Sequence, residues 1–375
     1  HLPLPFFPMS SRQTIVGLDF GAYSIKAAWV ERRGGSVALL RTQELQLPPE
    51  TQDPVRFVTP WLEKHGIPKT PCALALPGSQ VVFQPVTLAA GDPRTPQQAA
   101  EMEVAVFNDM AGEAMTHSAA VFDGEAGARQ LLMAMVRPEV VDKALRGAAA
   151  FSLRACELAP SPVAFFNAAS RSQPARPAPT LYLQIGHTST DVAVGLPAGL
   201  LFARSFAMGG KAFTEAILKA RGGTAVQAER SKRTEAGLGA DSPLSAELLP
   251  VATLWISQLK STLAVYRGQY PEERFAPGNI VLCGGGGQLR GLAEFVGERF
   301  ERPCAPLADP DIPPAFATAC GLALMALHKA VCPLSLLPRT LRDEIVFREK
   351  KPYWVAAGFC ASLALAVFLV SGIRG

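Results

Sequence analysis

The sequence predicts an α/β protein built from two similar lobes, with a small α+β subdomain inserted into the first lobe. Residues 15–30 and residues 181–194 each have the composition of a buried strand, a turn that contains glycine, and a second strand. A further buried strand, residues 279–283, runs into a row of glycines, and a helix follows. The repeat of one strand–turn–strand unit indicates an internal duplication, in which a ligand would lie between the two halves.

The composition is that of a chain with large apolar cores and no strong charge. Hydrophobic residues make up 49% and charged residues 18% of the 375 positions, and the net charge is +4. A chain of this length predicts two or three domains, and so mild a charge does not favour nucleic acid as a partner. The 7 cysteines form no CxxC pair, which predicts reduced thiols rather than disulfides or a zinc site.

The order of the predicted strands and helices sets the expected domain boundaries. We expect an unstructured extension over residues 1–12, a first lobe over 13–180 and a second lobe over 181–330. Within the first lobe, residues from about 72 to 155 have their own strand–helix–strand–strand–helix order, which predicts a compact insert. The helix of this insert is expected over residues 95–118.

The carboxyl end carries an apolar stretch, residues 353–373, which has no charged side chain. As a transmembrane helix it would reach about 32 Å, enough to cross the roughly 30 Å core of a bilayer. The linker before it, residues 331–352, contains the cations Arg339, Arg342, Arg348, Lys350 and Lys351. Cations on this side predict that the body of the protein lies in the cytoplasm. A buried core helix is the alternative interpretation of the stretch.

The first glycine turn has side chains suited to a phosphate and a magnesium ion. Asp19 ends the first strand, Gly21 lies in the turn, and Ser24 and Lys26 open the second strand. A carboxylate can join a magnesium shell, glycine lets backbone amides approach a phosphate, and the hydroxyl and ammonium groups supply further ligands. A strand follows the turn where a Walker motif has a helix. An ordinary turn after a buried strand is the alternative.

These glycine turns, in this order, resemble the two phosphate loops and the adenosine loop of the actin-like ATPases, whose fold is a duplicated ribonuclease H-like one. Within that superfamily the chain is most similar to the PilM family of type IV pilus assembly proteins, over about residues 13–330. The matching features are a segment that enters the insert (75–79) and a run that ends in a glycine pair (204–210). They also include a Glu-x-x-Lys helix (228–232) and the last helix (316–324).

The resemblance implies ATP and magnesium as cofactors, held by residues of both lobes. Asp19 would face magnesium, through water. The implied nucleotide ligands are Gly21, Ser24 and Lys26 in the first loop; Gly186, His187, Thr188, Ser189 and Thr190 in the second; Gly209 and Gly210; Glu229 and Lys232; and Gly284, Gly285, Gly286 and Gly287. An exposed turn position is the alternative for His187, and we interpret Asp191 as structural.

Gln184 stands where the family usually has an acid in the second phosphate loop. An amide can position a water, which makes Gln184 a candidate catalytic residue, but it cannot accept a proton as a carboxylate does. It is also a weaker ligand for magnesium. We therefore expect nucleotide binding with slow hydrolysis or none.

A second resemblance concerns the linker. Leu334, Leu336, Leu337 and Pro338, followed by charged residues and one apolar span, look like the amino terminus of PilN, whose Leu-Leu-Pro segment docks on PilM. This suggests a PilM–PilN fusion with a partner-docking segment in the same chain. An ordinary linker with a chance Leu-Leu-Pro is the alternative.

The two resemblances together imply an ATP-binding component of the type IV pilus platform, anchored by one span to the cytoplasmic face of the bacterial inner membrane. Its expected partners are a PilN-type segment, other platform proteins and the membrane, and it could form homo-oligomers. A GspL-like type II secretion scaffold that binds no nucleotide is the main alternative, because GspL also joins an actin-like domain to one span. A sugar or acetate kinase of the same superfamily is disfavoured, because no substrate acid is evident between the lobes.

Overall fold

The computed structural model describes residues 12–48, 54–124, 127–174, 178–239, 241–272, 275–347 and 362. The expected extension therefore lies outside the described residues, except that Arg12 opens the first strand. The expected span at 353–373 also lies outside them, apart from Ser362. The chain divides into two compact units, residues 1–336 and 337–375, and each is described by itself.

The first lobe is a five-stranded sheet in the order β3-β2-β1-β4-β8. Its strands are β1 (Arg12–Phe20), β2 (Ser24–Arg33), β3 (Ser36–Gln46), β4 (Pro71–Leu76) and β8 (Arg154–Pro160). The first three strands are antiparallel neighbours, and β4 and β8 run parallel to β1. Its helices are α1 (Pro54–Lys64), α3 (Pro138–Ala150) and α4 (Ser161–Ala169).

The second lobe repeats this sheet, in the order β11-β10-β9-β12-β13. Its strands are β9 (Thr180–Ile185), β10 (Thr190–Leu196), β11 (Gly199–Phe206), β12 (Asn279–Cys283) and β13 (Cys304–Pro306). Its helices are α5 (Gly210–Arg221), α6 (Ala225–Thr234), α7 (Ser245–Gln269), α8 (Leu292–Phe300) and α9 (Ala317–Ala326). Two sheets with one strand order confirm the predicted duplication.

The inserted subdomain is smaller than predicted. Its sheet, in the order β5-β7-β6, is made of β5 (Val82–Leu88), β6 (Thr116–Asp123) and β7 (Arg129–Val136), with α2 (Pro96–Ala111) packed on it. The boundary at residues 72–155 was wrong, because β4 and β8 pair in the main sheet of the first lobe. The helix also ends before residue 118, since Gly112 closes it with a φ of 70°, which glycine adopts readily.

The α4 and α9 helices pack against each other so closely that one contact has no room for a side chain. A Cβ atom on Gly321 would lie 1.7 Å from the carbonyl oxygen of Ala164. The other side of α9 meets β1, where a Cβ on Gly17 would lie 1.8 Å from the carbonyl oxygen of Ala319. Glycine at these two positions lets α9, which follows the strands of the second lobe along the chain, pack directly on the first lobe.

The α7 helix forms the centre of the second lobe's core. Trp255, Leu259 and Tyr266 are among its buried residues, and they pack with strands β9 to β12 and helix α8 in one apolar cluster. Within the described part of the chain, α7 is also the one helix long and apolar enough to cross a membrane by length and composition alone. Its buried face accounts for that composition.

Replacing Gly321 with alanine should destabilise the protein, because the added methyl group would collide with rigid backbone. We expect a loss of at least roughly 1–3 kcal/mol, measured as a lower melting temperature by circular dichroism. Gly147→Ala is the matched control, since a Cβ there meets nothing within 4 Å and Gly147 lies inside α3. This control should gain roughly 0.5–1 kcal/mol. Equal melting temperatures for the two variants would contradict the close helix contact.

Candidate functional site

The end of the first hairpin carries a row of three ionisable side chains on one face of the sheet. Asp19 on β1 pairs with Lys26 on β2, and Lys26 pairs with Glu44 on β3. Directly opposed residues on neighbouring strands share a face, so their side chains interact. The Lys26 Nζ atom lies 3.9 Å from Glu44 Oε1.

The second lobe has an equivalent row of different residues. Gln184 on β9 pairs with Asp191 on β10, and Asp191 pairs with Ser205 on β11. The Ser205 hydroxyl donates a hydrogen bond of 2.5 Å to Asp191. The duplication thus puts Gln184 at the position of Asp19 in the first lobe, and Asp191 at the position of Lys26. The second lobe lacks the acid on its first strand but has one on its second.

The two aspartates, one from each lobe, lie close enough to repel each other. Burial raises the pKa of Asp191 to about 6; hydrogen bonds from Ser161 and Ser205 oppose this shift, and the charge of Asp19 adds to it. Burial also raises the pKa of Asp19, and Lys26 opposes that shift. Asp191 is therefore a second carboxylate of the cleft, as well as an acceptor that joins β10 to the start of α4.

The amide of Gln184 has an acceptor atom that the described residues leave unused. Its Oε1 atom is buried and has no hydrogen-bond partner there. A buried acceptor without a partner is rare and calls for an explanation. A donor such as a water molecule held by a cation would satisfy it, and carboxylates with water are the ligands that Mg²⁺ prefers. The residues present at Asp19, Gln184 and Asp191 therefore fit a hydrated magnesium ion.

The predicted second phosphate loop, residues 186–190, is held in place by backbone contacts with the start of α5. The amides of Gly210 and Lys211 donate hydrogen bonds of 2.8 Å and 2.7 Å to the carbonyl oxygens of Gly186 and His187. A Cβ atom on Gly209 would lie 2.6 Å from the Gly186 oxygen, so glycine is required for this approach. The glycine pair thus positions the loop, and the Gly210 amide is already occupied.

Two predicted phosphate ligands have buried side chains. The Thr190 hydroxyl donates to the carbonyl oxygen of Met208 at 2.7 Å and accepts from Trp255 Nε1 at 2.9 Å. Thr190 and Ser24 are only 0% and 2% exposed, whereas Thr188 is exposed and Ser189 half-buried. Thr190 therefore faces the core and fixes the loop from behind, while Thr188 and Ser189 remain the accessible hydroxyls.

The predicted adenosine helix, α6, has a charged cluster in place. The carboxylate of Glu229 accepts hydrogen bonds from Lys232 Nζ and Thr214 Oγ1, both at 2.6 Å, and from Arg233 Nε at 3.0 Å. Burial alone would raise the pKa of Glu229, but Lys232, Thr214 and Arg233 together lower it. Lys232 also donates to the carbonyl oxygen of Gly210 at 3.0 Å, which ties α6 to the start of α5.

The run of glycines after β12 lies against the end of β9. A Cβ on Gly284 would lie 2.4 Å from the Ile185 oxygen, and one on Gly286 would lie 2.5 Å from the Ile185 side chain. A Cβ on Gly285 would meet nothing within 4 Å, so this part of the loop is open. Cys283, the last residue of β12, is buried, and this burial raises the pKa of its thiol.

The elements expected to surround a nucleoside do meet. A Cβ placed on Gly210 would lie 3.2 Å from Lys232 Nζ and 3.9 Å from the Cα atom of Gly286. The start of α5, the predicted adenosine helix α6 and the glycine run therefore converge at one point. Gly287 lies further back, where a Cβ would make an ordinary contact of 3.4 Å with Leu282.

Part of the expected docking segment lies on the first lobe of its own chain. The amide and carbonyl groups of Cys332 form two hydrogen bonds of 2.8 Å with the Asn167 side chain, which is fully buried in α4. The Leu336 amide donates a 2.7 Å bond to the carbonyl oxygen of Leu158, on the edge strand β8. The side chains of Leu334 and Leu336 are 0% and 1% exposed.

Leu337 and Pro338 begin the second compact unit. Their carbonyl oxygens accept hydrogen bonds from Arg342, through its side chain at 3.3 Å and its amide at 3.0 Å. Residues 339–347 are helical.

The sequence did not single out Tyr23 and Arg233, and it led to a structural interpretation of Asp191, which the hydrogen bond from Ser205 fits. Tyr23, at the tip of the first loop, contacts His187 and Arg233 of the second lobe. The row of opposed residues on β9 and β10 could have identified Asp191, because it occupies the same place in its hairpin as Lys26. Tyr23 and Arg233 had no such signal, since their contact depends on how the two lobes approach each other.

Duplicated sheets with glycine loops at the strand ends define a protein with the actin-like ATPase fold. A solved PilM–PilN type IV pilus biogenesis complex has a similar structure, with a TM-score of 0.68 and 24% sequence identity over 85% of this chain and 99% of that chain. The family model for type IV pilus assembly protein PilM matches residues 173–311. The predicted resemblance to PilM and the predicted fold are therefore confirmed.

More distant structures show weaker similarity. The ethanolamine utilization protein EutJ from Carboxydothermus hydrogenoformans has a TM-score of 0.48 at 14% identity, covering 86% of this chain and 91% of that chain. MreB5 of Spiroplasma citri bound to AMPPNP has a TM-score of 0.46 at 12% identity, covering 82% and 94%. No curated protein sequence matches the chain. The GspL-like alternative is not favoured, because the matching family model is that of PilM.

Replacing Asp191 with asparagine should stabilise the protein at a pH above the pKa of this carboxyl group. The pKa of Asp191 is raised from 3.8 to about 6, so its charge destabilises the folded state as pH rises through this window and fully above it. At pH 8 the variant should be more stable by about 2–3 kcal/mol, and the difference should vanish towards pH 4. Chemical denaturation at both pH values measures it. Lower stability of the variant at pH 8 would contradict a desolvated carboxylate.

Proposed function

We propose that this chain is an ATP-binding component of the type IV pilus assembly platform, and that it couples its nucleotide state to the docking of a PilN-type segment. The observation that carries the proposal is the meeting of two carboxylates and an unpaired amide oxygen at the strand ends of a duplicated actin-like fold. The match of residues 173–311 to the PilM family supports the pilus assignment.

In this proposal, residues of both lobes hold the triphosphate. Asp19 and Asp191 would hold magnesium through water. Lys26 and the accessible hydroxyls of the second phosphate loop, those of Thr188 and Ser189, would face the phosphates. The cluster of Glu229 and Lys232 and the open backbone at Gly285 would take the nucleoside. ATP with magnesium supplies a negative charge that both lobes bind together, so its presence favours a closed cleft.

Hydrolysis should be slow in this arrangement. Gln184 can orient a water but cannot accept its proton. Asp191 is the other acid within the second lobe's row, and two hydroxyl donors, Ser161 and Ser205, already bind it. Burial raises the pKa of Asp191 to about 6 despite these donors, so the expectation of slow hydrolysis rests on Gln184. The site is therefore suited to binding that reports nucleotide state rather than to rapid turnover.

The same proposal makes the segment at residues 332–336 the partner-docking element, held by its own first lobe. Its buried leucines and the reciprocal bonds with Asn167 support a specific seat. A tethered segment has an effective concentration of about a millimolar, so it occupies the seat until another segment or a conformational change releases it. Anchoring by residues 353–373 at the inner membrane remains part of the proposal.

Magnesium ATP should raise the melting temperature of the full chain. A ligand at about 100 times its dissociation constant stabilises the folded state by about 2.7 kcal/mol. Asp19→Ala should lose this ligand-induced shift, whereas Asp109→Ala, an exposed acid on α2, should keep it. Differential scanning fluorimetry with and without magnesium measures the shift. An unchanged melting temperature for the wild-type chain would refute nucleotide binding. Separately, ATP hydrolysis at about 10 per second would refute the expectation of slow hydrolysis.

A labelled peptide of residues 332–342 should bind the full chain only when the tethered segment is disabled. Leu334→Ser with Leu336→Ser removes two buried side chains and should empty the seat, while the wild-type chain keeps it filled. Fluorescence anisotropy at micromolar peptide should therefore detect binding to the double variant alone. A peptide that carries the same two serines is the control and should not bind. Absence of binding to both chains would count against a docking seat on the first lobe.

A further inference from the structure

Tyr23 lies at the tip of the first phosphate loop, and its backbone is fixed on both sides. The Gly21 amide donates to the carbonyl oxygen of Ser24 at 3.1 Å, which closes the turn. The Leu47 amide donates to the carbonyl oxygen of Tyr23 at 2.9 Å, which ties the tip to the chain after β3. The loop therefore presents the tyrosine ring in a defined direction.

That ring contacts the second lobe at two places. Its centroid is 5.0 Å from that of the His187 ring, with an angle of 36° between the planes. The guanidinium carbon of Arg233 lies 5.3 Å from the same ring centroid. Aromatic pairs and cation–π contacts at such distances are attractive. One side chain of the first lobe thus bridges the second phosphate loop and the adenosine helix.

Both contacts are themselves anchored. Arg233 donates to Glu229 at 3.0 Å, and Glu229 belongs to the cluster with Lys232 that reaches the start of α5. The His187 carbonyl oxygen accepts the Lys211 amide at 2.7 Å. Burial, followed by the charge of Lys232, lowers the pKa of His187, so a neutral ring faces Tyr23. Opening the cleft would therefore have to break the contacts of Tyr23 with His187 and Arg233 together.

We propose that Tyr23 is a positioning residue that latches the two lobes across the nucleotide cleft, so that a bound nucleoside phosphate leaves only after the ring separates from His187 and Arg233. This inference rests on the proposed function. It assigns to Tyr23 the rate of nucleotide release rather than contact with the phosphates, because its ring contacts two protein side chains of the second lobe, His187 and Arg233.

Release of a fluorescent ADP analogue from the full chain tests the latch. Tyr23→Ser removes the ring and should speed dissociation at least about tenfold, with little change in the association rate. Tyr23→Phe keeps the ring and should stay within about twofold of the wild-type chain. Phe20→Ser is the matched control, since Phe20 is the neighbouring aromatic and stacks on Phe151 within the first lobe, at 6.0 Å.

Equal dissociation rates for Tyr23→Ser and the wild-type chain would overturn the latch, as would equal acceleration by Phe20→Ser. Hydrogen exchange of the nucleotide-free chain separates this inference from the proposed function. Tyr23→Ser should increase exchange at residues 186–190, in the opposite lobe, and Phe20→Ser should not. If the wild-type chain binds no nucleotide but exchange responds in this way, the proposed function fails and the contact across the cleft stands. Unchanged exchange at residues 186–190 overturns the latch in either case.

Discussion

The structure depends on how closely α4 and α9 can approach each other. Gly321 and Gly17 leave no space for a Cβ, so backbone meets backbone on both sides of α9. Close-packed interiors of this kind are rigid, because any added volume must displace the neighbouring backbone. That rigidity fixes the inner strands of the first lobe relative to α4. The first residue of α4 is Ser161, whose hydroxyl donates a hydrogen bond to Asp191. The positions of the cleft residues thus rest on a packing constraint between helices and strands.

Duplication explains why the cleft can differ from the family pattern and still hold a charge. Each hairpin offers equivalent positions on its first two strands, filled by Asp19 and Lys26 in the first lobe and by Gln184 and Asp191 in the second. The second lobe has an amide where the first has an acid, and an acid where the first has a cation. Each lobe therefore supplies one carboxylate to the cleft, and the second one accepts hydrogen bonds from Ser161 and Ser205. A cation would suit such a cleft, because its positive charge would offset the repulsion between the two carboxylates.

The sequence was sufficient to predict the fold and the loops, because glycine turns and strand composition are local signals. It predicted the duplication, the glycine run after β12 and the Glu229–Lys232 pair, which the structure brings close to Gly210. It could not predict the limits of the insert, since β4 and β8 are set by pairing with distant strands. Nor could it show that Thr190 faces Trp255 rather than the cleft, because that orientation depends on the packing of α7.

The segment after α9 also closes a sheet that would otherwise end in an open strand. β8 is one of the two edge strands of the first lobe's main sheet, and the Leu336 amide donates to one of its carbonyl groups, that of Leu158. A strand edge with unfilled groups readily accepts another extended chain. Release of residues 332–336 would therefore do two things at once: it would free a leucine-rich ligand and expose a template for β-augmentation. Exchange of this segment between neighbouring molecules would leave β8 covered in each of them, and an array built in that way would bury no new type of surface.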